Sequence, residues 1–351
     1  MFQTIRRLFL TLLFLSISTS HLFAADANAD SDEPILDVMG TVADHDYIKH
    51  PFGKIYLPRI IIWEDAQGTS QFNIFGSTKK ATESGLFADV NDVLAPADGG
   101  HITLDLSITS HLIYFWAGMF LAVFWTLMMA RRYNAGIGKD VEPKGALQNL
   151  FEVLFVFIRD DVARSNIDAN KADKYVPYFF TMFMGIAFMN LFGLFPWAAT
   201  ATADLTVTAT LAIITFVITQ FSGTKDYWGH IFWFPGVPTW VRAILTPVEI
   251  LGIFTKPFAL AIRLFANMLS GKIMIIAILG LIFIFADIFG SVVGVSVSAF
   301  SVTLTVVLYA LKVFVALLQA YIFTLLSAVF IGMAAEEHDH AHNEHHTEHA
   351  H

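Results

Sequence analysis

The chain has 351 residues, of which 56% are hydrophobic and 15% charged, and its mean hydropathy is +0.60. Soluble domains run at roughly 45–50% apolar and 25% charged, so this composition is that of a membrane protein. Cysteine is absent, which excludes disulfide scaffolds, Fe–S clusters, thiol catalysis and cysteine-ligated zinc. The net charge of −9 argues against a nucleic-acid partner, because phosphate binding needs a basic face.

Arg6 and Arg7 precede an apolar run from Leu8 to Ile17, with Ala24, Ala25 and Ala27 beyond it. The run is too short for a hydrocarbon core of about 30 Å and has the form of a secretory signal, so residues 1–25 are expected to be a signal peptide. Residues 26–105 read as an exported acidic segment, with fourteen Asp/Glu against five Lys/Arg. Ile55–Ile62 and Gln71–Phe75 read as strands, and Ala66-Gln67-Gly68 as the turn of a possible β-hairpin. Pro58 is expected to confine the first strand to a sheet edge. Asp44, His45, Asp46 and His50 lie close in sequence. They read as a solvated acidic surface, and neither a metal nor a cofactor is expected.

The membrane domain is expected over 106–335. Thr109–Ala130, Val176–Trp197 and Leu205–Ser222 are span-length apolar runs, followed by two longer stretches, Ile244–Asp287 and Ser296–Phe330. The fourth, with 44 residues, would reach roughly 66 Å at 1.5 Å per residue, about twice a perpendicular crossing. Both long stretches must therefore be strongly tilted or broken, and Pro247 and Pro257 are candidate breaks in the fourth. The fold class expected is an all-α membrane protein with five crossings that ends in a long oblique helical hairpin.

Arg131, Arg132, Lys139, Lys144, Arg159, Arg164, Lys171, Lys174, Lys225 and Arg242 all fall in the connections after spans one and three. The positive-inside rule then places the N-terminal segment outside and the C-terminus in the cytoplasm, as a signal peptide also implies. Ala146–Ile158 is apolar but too short to cross, and charges flank it, so an interfacial helix is expected there. Residues 336–351 form a tail with seven histidines (His338 to His351) among acids. It reads as a solvated cytoplasmic tail.

Four cations, Lys256, Arg263, Lys272 and Lys312, lie within the long hairpin, whose acids are Glu249 and Asp287. Ionisable groups at membrane depth are costly and usually face a partner or a water path. Arg263 is the sharpest case, because arginine cannot shed its charge by releasing a proton. Glu249, Lys256 and Arg263 are spaced by seven and share a face, and Asn267 stands one turn beyond Arg263. Lys272 falls half a turn round from Arg263, while Lys312 and Gln319 share a stripe on the fifth stretch. A purely structural Arg263, snorkelling or paired with Glu249, is the bland alternative to an ion-path role. No phosphate-binding Gly-rich motif precedes Gly271-Lys272, and no histidine lies between His111 and His230 or between His230 and His338. Nucleotide binding and membrane haem are thus disfavoured.

The run Thr246-Pro247-Val248-Glu249, with Lys256-Pro257-Phe258-Ala259-Leu260-Ala261-Ile262-Arg263-Leu264-Phe265-Ala266-Asn267-Met268, resembles the signature of the F-type ATP synthase subunit a. Met189–Pro196, Ala203-Asp204-Leu205, Leu318–Phe323 and Met333–His338 fit the same family, so the resemblance covers roughly 109–338. It implies a subunit that is not catalytic by itself, works in the ATP synthase complex beside a c-subunit ring and a b-subunit peripheral stalk, and sits in a bacterial inner membrane. It also implies two aqueous half-channels. Arg263 would face the ring carboxylate, Asn267 and Gln319 would be its polar neighbours, and Glu249 would stand on the cytoplasmic side. Lys272 and Lys312 depart from the family, whose members often carry a Glu and a His there. Either a Lys relays protons, or water and Asp204 or Asp287 do so, or the lysines hinder loss of captured protons. The alternative class is an independent ion-coupled transporter, which would need a midplane site closed within one chain. Co-purification with a c ring discriminates the two.

Overall fold

The computed structural model describes residues 42–50, 53–90, 93–136, 145–195, 198–233 and 238–336. The expected signal peptide and the histidines of the tail lie outside the described residues. The chain divides into two compact units. The first takes the chain up to Leu121, with Ile186–Asp204 and Phe265–Leu318; the second takes Ala122–Gly185, Leu205–Leu264 and everything from Gln319.

In the first unit the N-terminal region is built of short antiparallel strands. β1 (Tyr47–His50) pairs with β2 (Gly53–Tyr56). β3 (Arg59–Glu64) lies between β4 (Ser70–Phe75) and β7 (His101–Asp105). β5 (Phe87–Val90) pairs with β6 (Val93–Pro96). The helix α1 (Thr78–Glu83) follows β4, capped by Ser77, whose hydroxyl accepts from the Lys80 amide at 3.2 Å. The alternation along β3 turns Ile61 and Trp63 inward, where they pack with Ala81, Phe87 and Leu94. The expected hairpin is β3–β4, but Pro58 does not place β3 on an edge. The chain breaks at Leu57-Pro58, so the single expected strand becomes β2 and β3. The proline thus stands just before a strand that is free to pair on both sides.

Among the described residues, five helices are long and apolar enough to cross a membrane. They are α2 (Ser110–Asn134), α4 (Ala169–Phe192), α5 (Leu205–Ser222), α7 (Thr239–Phe289) and α8 (Ser291–Ala335). Between α2 and α4 lies α3 (Ala146–Phe157), which runs into a π-helical turn at Ile158–Ala163. This is the helix expected from its flanking charges. A further short helix, α6 (Lys225–Phe232), follows α5 and is capped by Thr224, whose hydroxyl accepts from the Tyr227 amide. α4 begins earlier than the apolar run suggests, taking in Lys171, Asp173 and Lys174, because helix propensity does not stop where hydropathy falls.

Both final helices are unbroken. α7 has 51 residues and α8 has 45, roughly 77 and 68 Å of helix. Pro247 and Pro257 sit inside α7 without ending it. Each removes one backbone donor, and an otherwise strongly helical apolar sequence continues past the loss. Gly290 alone separates the two helices, with φ of 88°. In the second unit, the buried side of α8 carries Ala320, Thr324, Ser327, Ala328 and Ala334. Such small residues permit the close helix packing that lipid does not drive by itself. Gly332 is the extreme case: a Cβ there would lie 2.0 Å from the Asn166 carbonyl oxygen.

Candidate functional site

In the first unit, Lys272 and Lys312 come together on α7 and α8. Lys312 is 9% exposed, and its side chain lies across Gly271, where an added Cβ would meet Lys312 Cε at 2.6 Å. The neighbouring Lys272 Nζ donates to the Ala198 carbonyl at 3.3 Å. Ala198 begins the segment leading through the 3-10 turn Ala201–Ala203 to Asp204. A buried polar strip accompanies it. Thr202 Oγ1 donates to Asn190 Oδ1 at 2.6 Å, and Asn190 Nδ2 donates to the Ala316 carbonyl at 2.9 Å. Asn190 and Thr202 are both fully buried, and each bond contributes about 0.5–1.5 kcal/mol net while leaving a buried group unmatched would cost more. Asp204 ends the strip with Oδ2 3.5 Å from His111 Nδ1.

Asn267 also falls in the first unit and is exposed on α7. Asp287 is exposed near the end of that helix. The residues Asp44, His45 and Asp46 separate: the His45 ring stacks on Tyr47, Asp46 accepts from the Thr78 hydroxyl, and Asp44 turns to Ser110 and His111. The side chain of His50 lies outside the described set.

In the second unit, Arg263 stands near the middle of α7. Leu260, Ala261 and Leu264 around it are buried, whereas Arg263 itself is exposed beside the exposed Phe258, Ala259 and Ile262. Among the described residues it makes no ion pair, and none joins it to Glu249. Of the two forms of the structural alternative, the pairing with Glu249 is therefore absent among the described residues. Gln319, on α8 in the same unit, is 2% exposed. Lys256 Nζ lies 5.9 Å from the centre of the Phe330 ring, a cation–π contact at the outer limit of range.

Glu249 is half-buried on α7. Its charge acts on Tyr227 of α6, whose hydroxyl is pushed up chiefly by burial, with the Glu249 carboxylate adding to the rise. Tyr227, Gln220 and Lys256 line a cavity of about 20 Å³ together with Thr215 and Thr219, space for about one water molecule. Tyr178 Oη and Thr215 Oγ1 are hydrogen-bonded at 2.8 Å, and Thr215 lies 3.4 Å from Ser327 Oγ. A cleft of about 710 Å³ opens beside the end of α8, lined in part by Asp168, Lys171 and Glu336. Lys171 Nζ donates there to the Ala335 carbonyl at 3.2 Å, supplying one donor to the helix end.

The sequence reading missed His111, Asn190, Thr202 and Tyr227 as parts of polar clusters. Asn190 and Thr202 did carry a signal, since buried amides and hydroxyls within spans require internal partners. His111 carried none, because its acidic neighbours lie far away along the chain.

Among the described residues, five membrane-length apolar helices define a multi-pass membrane protein. The description "ATP synthase A chain" belongs to the family model that matches residues 112–332. The chain is 42% identical over 253 residues to ATP synthase subunit a of Myxococcus xanthus, covering 71% of this chain and 78% of that protein. It is 43% identical over 246 residues to ATP synthase subunit a of Chloroherpeton thalassium, covering 69% and 70%. ATP synthase subunit a 2 of Prosthecochloris aestuarii is 41% identical over 241 residues, covering 67% and 71%. The chain belongs to the ATP synthase A chain family.

Proposed function

We propose that this chain is the stator half of a proton path, with Arg263 as the charge that answers a carboxylate on a rotating c-subunit ring. The exposed, unneutralised guanidinium on a membrane-length helix carries this reading. A lone arginine at membrane depth is unfavourable by at least about 2.5–3.5 kcal/mol. A carboxylate brought to the exposed face removes that penalty. A guanidinium close to a buried acid lowers the acid's pKa by about 1–3 units, which is roughly 1.4–4 kcal/mol in favour of its ionised form. Arg263 therefore drives the ring acid to release its proton and has none of its own to give. Asn267, one turn further on, offers an amide toward the same face.

The intake side uses Asp204, Lys272 and Lys312, supported by the polar strip through Thr202 and Asn190. The release side uses Glu249, with Tyr227, Gln220 and Lys256 around a cavity fit for one water; Gln319 is a buried polar neighbour of the site on α8. The long helices α7 and α8 lie obliquely and present a flank to the ring. The b-subunit stalk holds the chain, and catalysis of ATP formation lies in other subunits. The membrane is a bacterial inner membrane with the N-terminal segment outside and the C-terminus cytoplasmic, as the cation bias of the connections supports.

The test is Arg263→Ala in the whole complex. Assembly should persist while proton pumping coupled to ATP hydrolysis and ATP synthesis are both lost. Normal coupled rates in this variant would refute the mechanism.

A further inference from the structure

The geometry points to a divalent transition-metal site, suited to zinc, formed by His111, Asp44 and Asp204 in the first unit. His111 is 4% exposed, and among the described residues neither of its ring nitrogens has a hydrogen-bond partner. Its Nδ1 lies 3.6 Å from Asp44 Oδ1 and 3.5 Å from Asp204 Oδ2. One ligand atom from each residue lies within 4.8 Å of those from the other two. The two imidazole–carboxylate separations are longer than the 2.7–3.2 Å of ordinary hydrogen bonds. They lie just above the edge of a tetrahedron around a metal, which is about 3.3–3.4 Å for ligand distances near 2.0–2.1 Å, so a small inward shift of the side chains would close them on an ion.

The donor set is one imidazole and two carboxylates, which suits zinc and leaves a fourth position for water. The ligands are held before any ion arrives. Ser110 Oγ and the His111 amide both donate to Asp44 Oδ1 at 3.0 Å, and the Ser110 amide donates to the His45 carbonyl at 2.9 Å. The Asp204 amide donates to the Ala201 carbonyl at 3.2 Å, fixing the residue at the end of its turn. Such outer contacts orient metal ligands and raise affinity. The ion would tie three separate stretches of chain together: the segment before β1, the first turn of α2 and the turn before α5. Neither His45 nor Asp46 takes part.

The test is the zinc content of the purified whole complex after equilibration with micromolar zinc and removal of free ion. Wild type, Asp44→Asn and His111→Gln are compared, so zinc held by the histidine-rich tail is common to all three and cancels. Asp44→Asn keeps a side-chain oxygen for the Ser110 and His111 donors, so it preserves the local fold. Wild type should retain one more zinc per copy of this chain than either variant. Its zinc X-ray absorption should show a component with one imidazole and two carboxylate oxygens that the variants lack. Equal zinc in all three, or a multi-histidine spectrum common to all three, would overturn the site.

Discussion

In the first unit, Lys272 donates to a backbone carbonyl, Lys312 is tucked across Gly271, and His111 faces two carboxylates. In the second, Arg263 stands in the open with no ion pair among the described residues, on the same helix that carries Lys272. The contrast separates two uses of charge inside a membrane protein. The buried groups of the first unit are held in place against the chain's own atoms. In the proposed mechanism the exposed guanidinium draws its partner from another chain, and an arginine does so without losing its charge.

Arg263→Ala should break this contrast most strongly. Coupled ATP synthesis in membrane vesicles should fall by at least about 100-fold, since a shift of 2–3 pKa units on the partner acid is worth that much. Arg263→Lys should fail almost as fully if the permanently held proton matters. Gly332→Ala tests whether the second unit is rigid around its site. The added Cβ would sit 2.0 Å from a backbone oxygen, so a loss of about 3 kcal/mol in stability is expected, read as a lower melting temperature of the complex. Lys312→Leu asks whether the buried lysines conduct. Proton uptake into vesicles should drop about tenfold, or roughly 1.4 kcal/mol in barrier. Gly271→Ala, which only displaces the Lys312 side chain, should act in the same direction with smaller effect.

The smallest effect concerns surface charge. The Arg159 guanidinium, bonded to Asp160 at 2.8 Å, holds its carboxyl below the usual range, with Arg164 contributing. A depressed carboxyl stabilises above its unfolded pKa and ceases to do so as pH falls through the folded value. Asp160→Asn should therefore lower the thermal midpoint slightly at neutral pH, and the difference from wild type should disappear in acid. Because the pair is exposed, a large effect at neutral pH would show that the π-helical turn depends on it.

Much of the membrane fold could be read from hydropathy and charge. Leu205–Ser222 has the predicted bounds, the short apolar stretch at Ala146 is helical without being span-length, and two over-long helices close the chain. What hydropathy does not carry is continuity. Pro247 and Pro257 were candidate breaks, yet losing one hydrogen bond does not end a helix where no water competes for the freed group. Nor does local pattern carry long-range pairing. Pro58 signalled an edge, and the chain answered by starting the strand one residue later. Arg263 was legible because a charge in an apolar run is conspicuous anywhere. Asp204 was legible only through the family pattern, and its meeting with His111 needed the fold.

The single residue between α7 and α8 has a mechanical meaning. Gly290 adopts φ of 88°, a conformation that side chains disfavour, and four positions on, Gly294 brings α8 so close to α7 that an added Cβ would lie 2.6 Å from Ala286 Cβ. A joint of one residue has no slack. A sideways push on the end of one rod passes directly to the start of the other, so within the first unit the joint acts as a brace rather than a loose tether. A part that holds still while its neighbour turns needs that stiffness more than it needs any particular side chain.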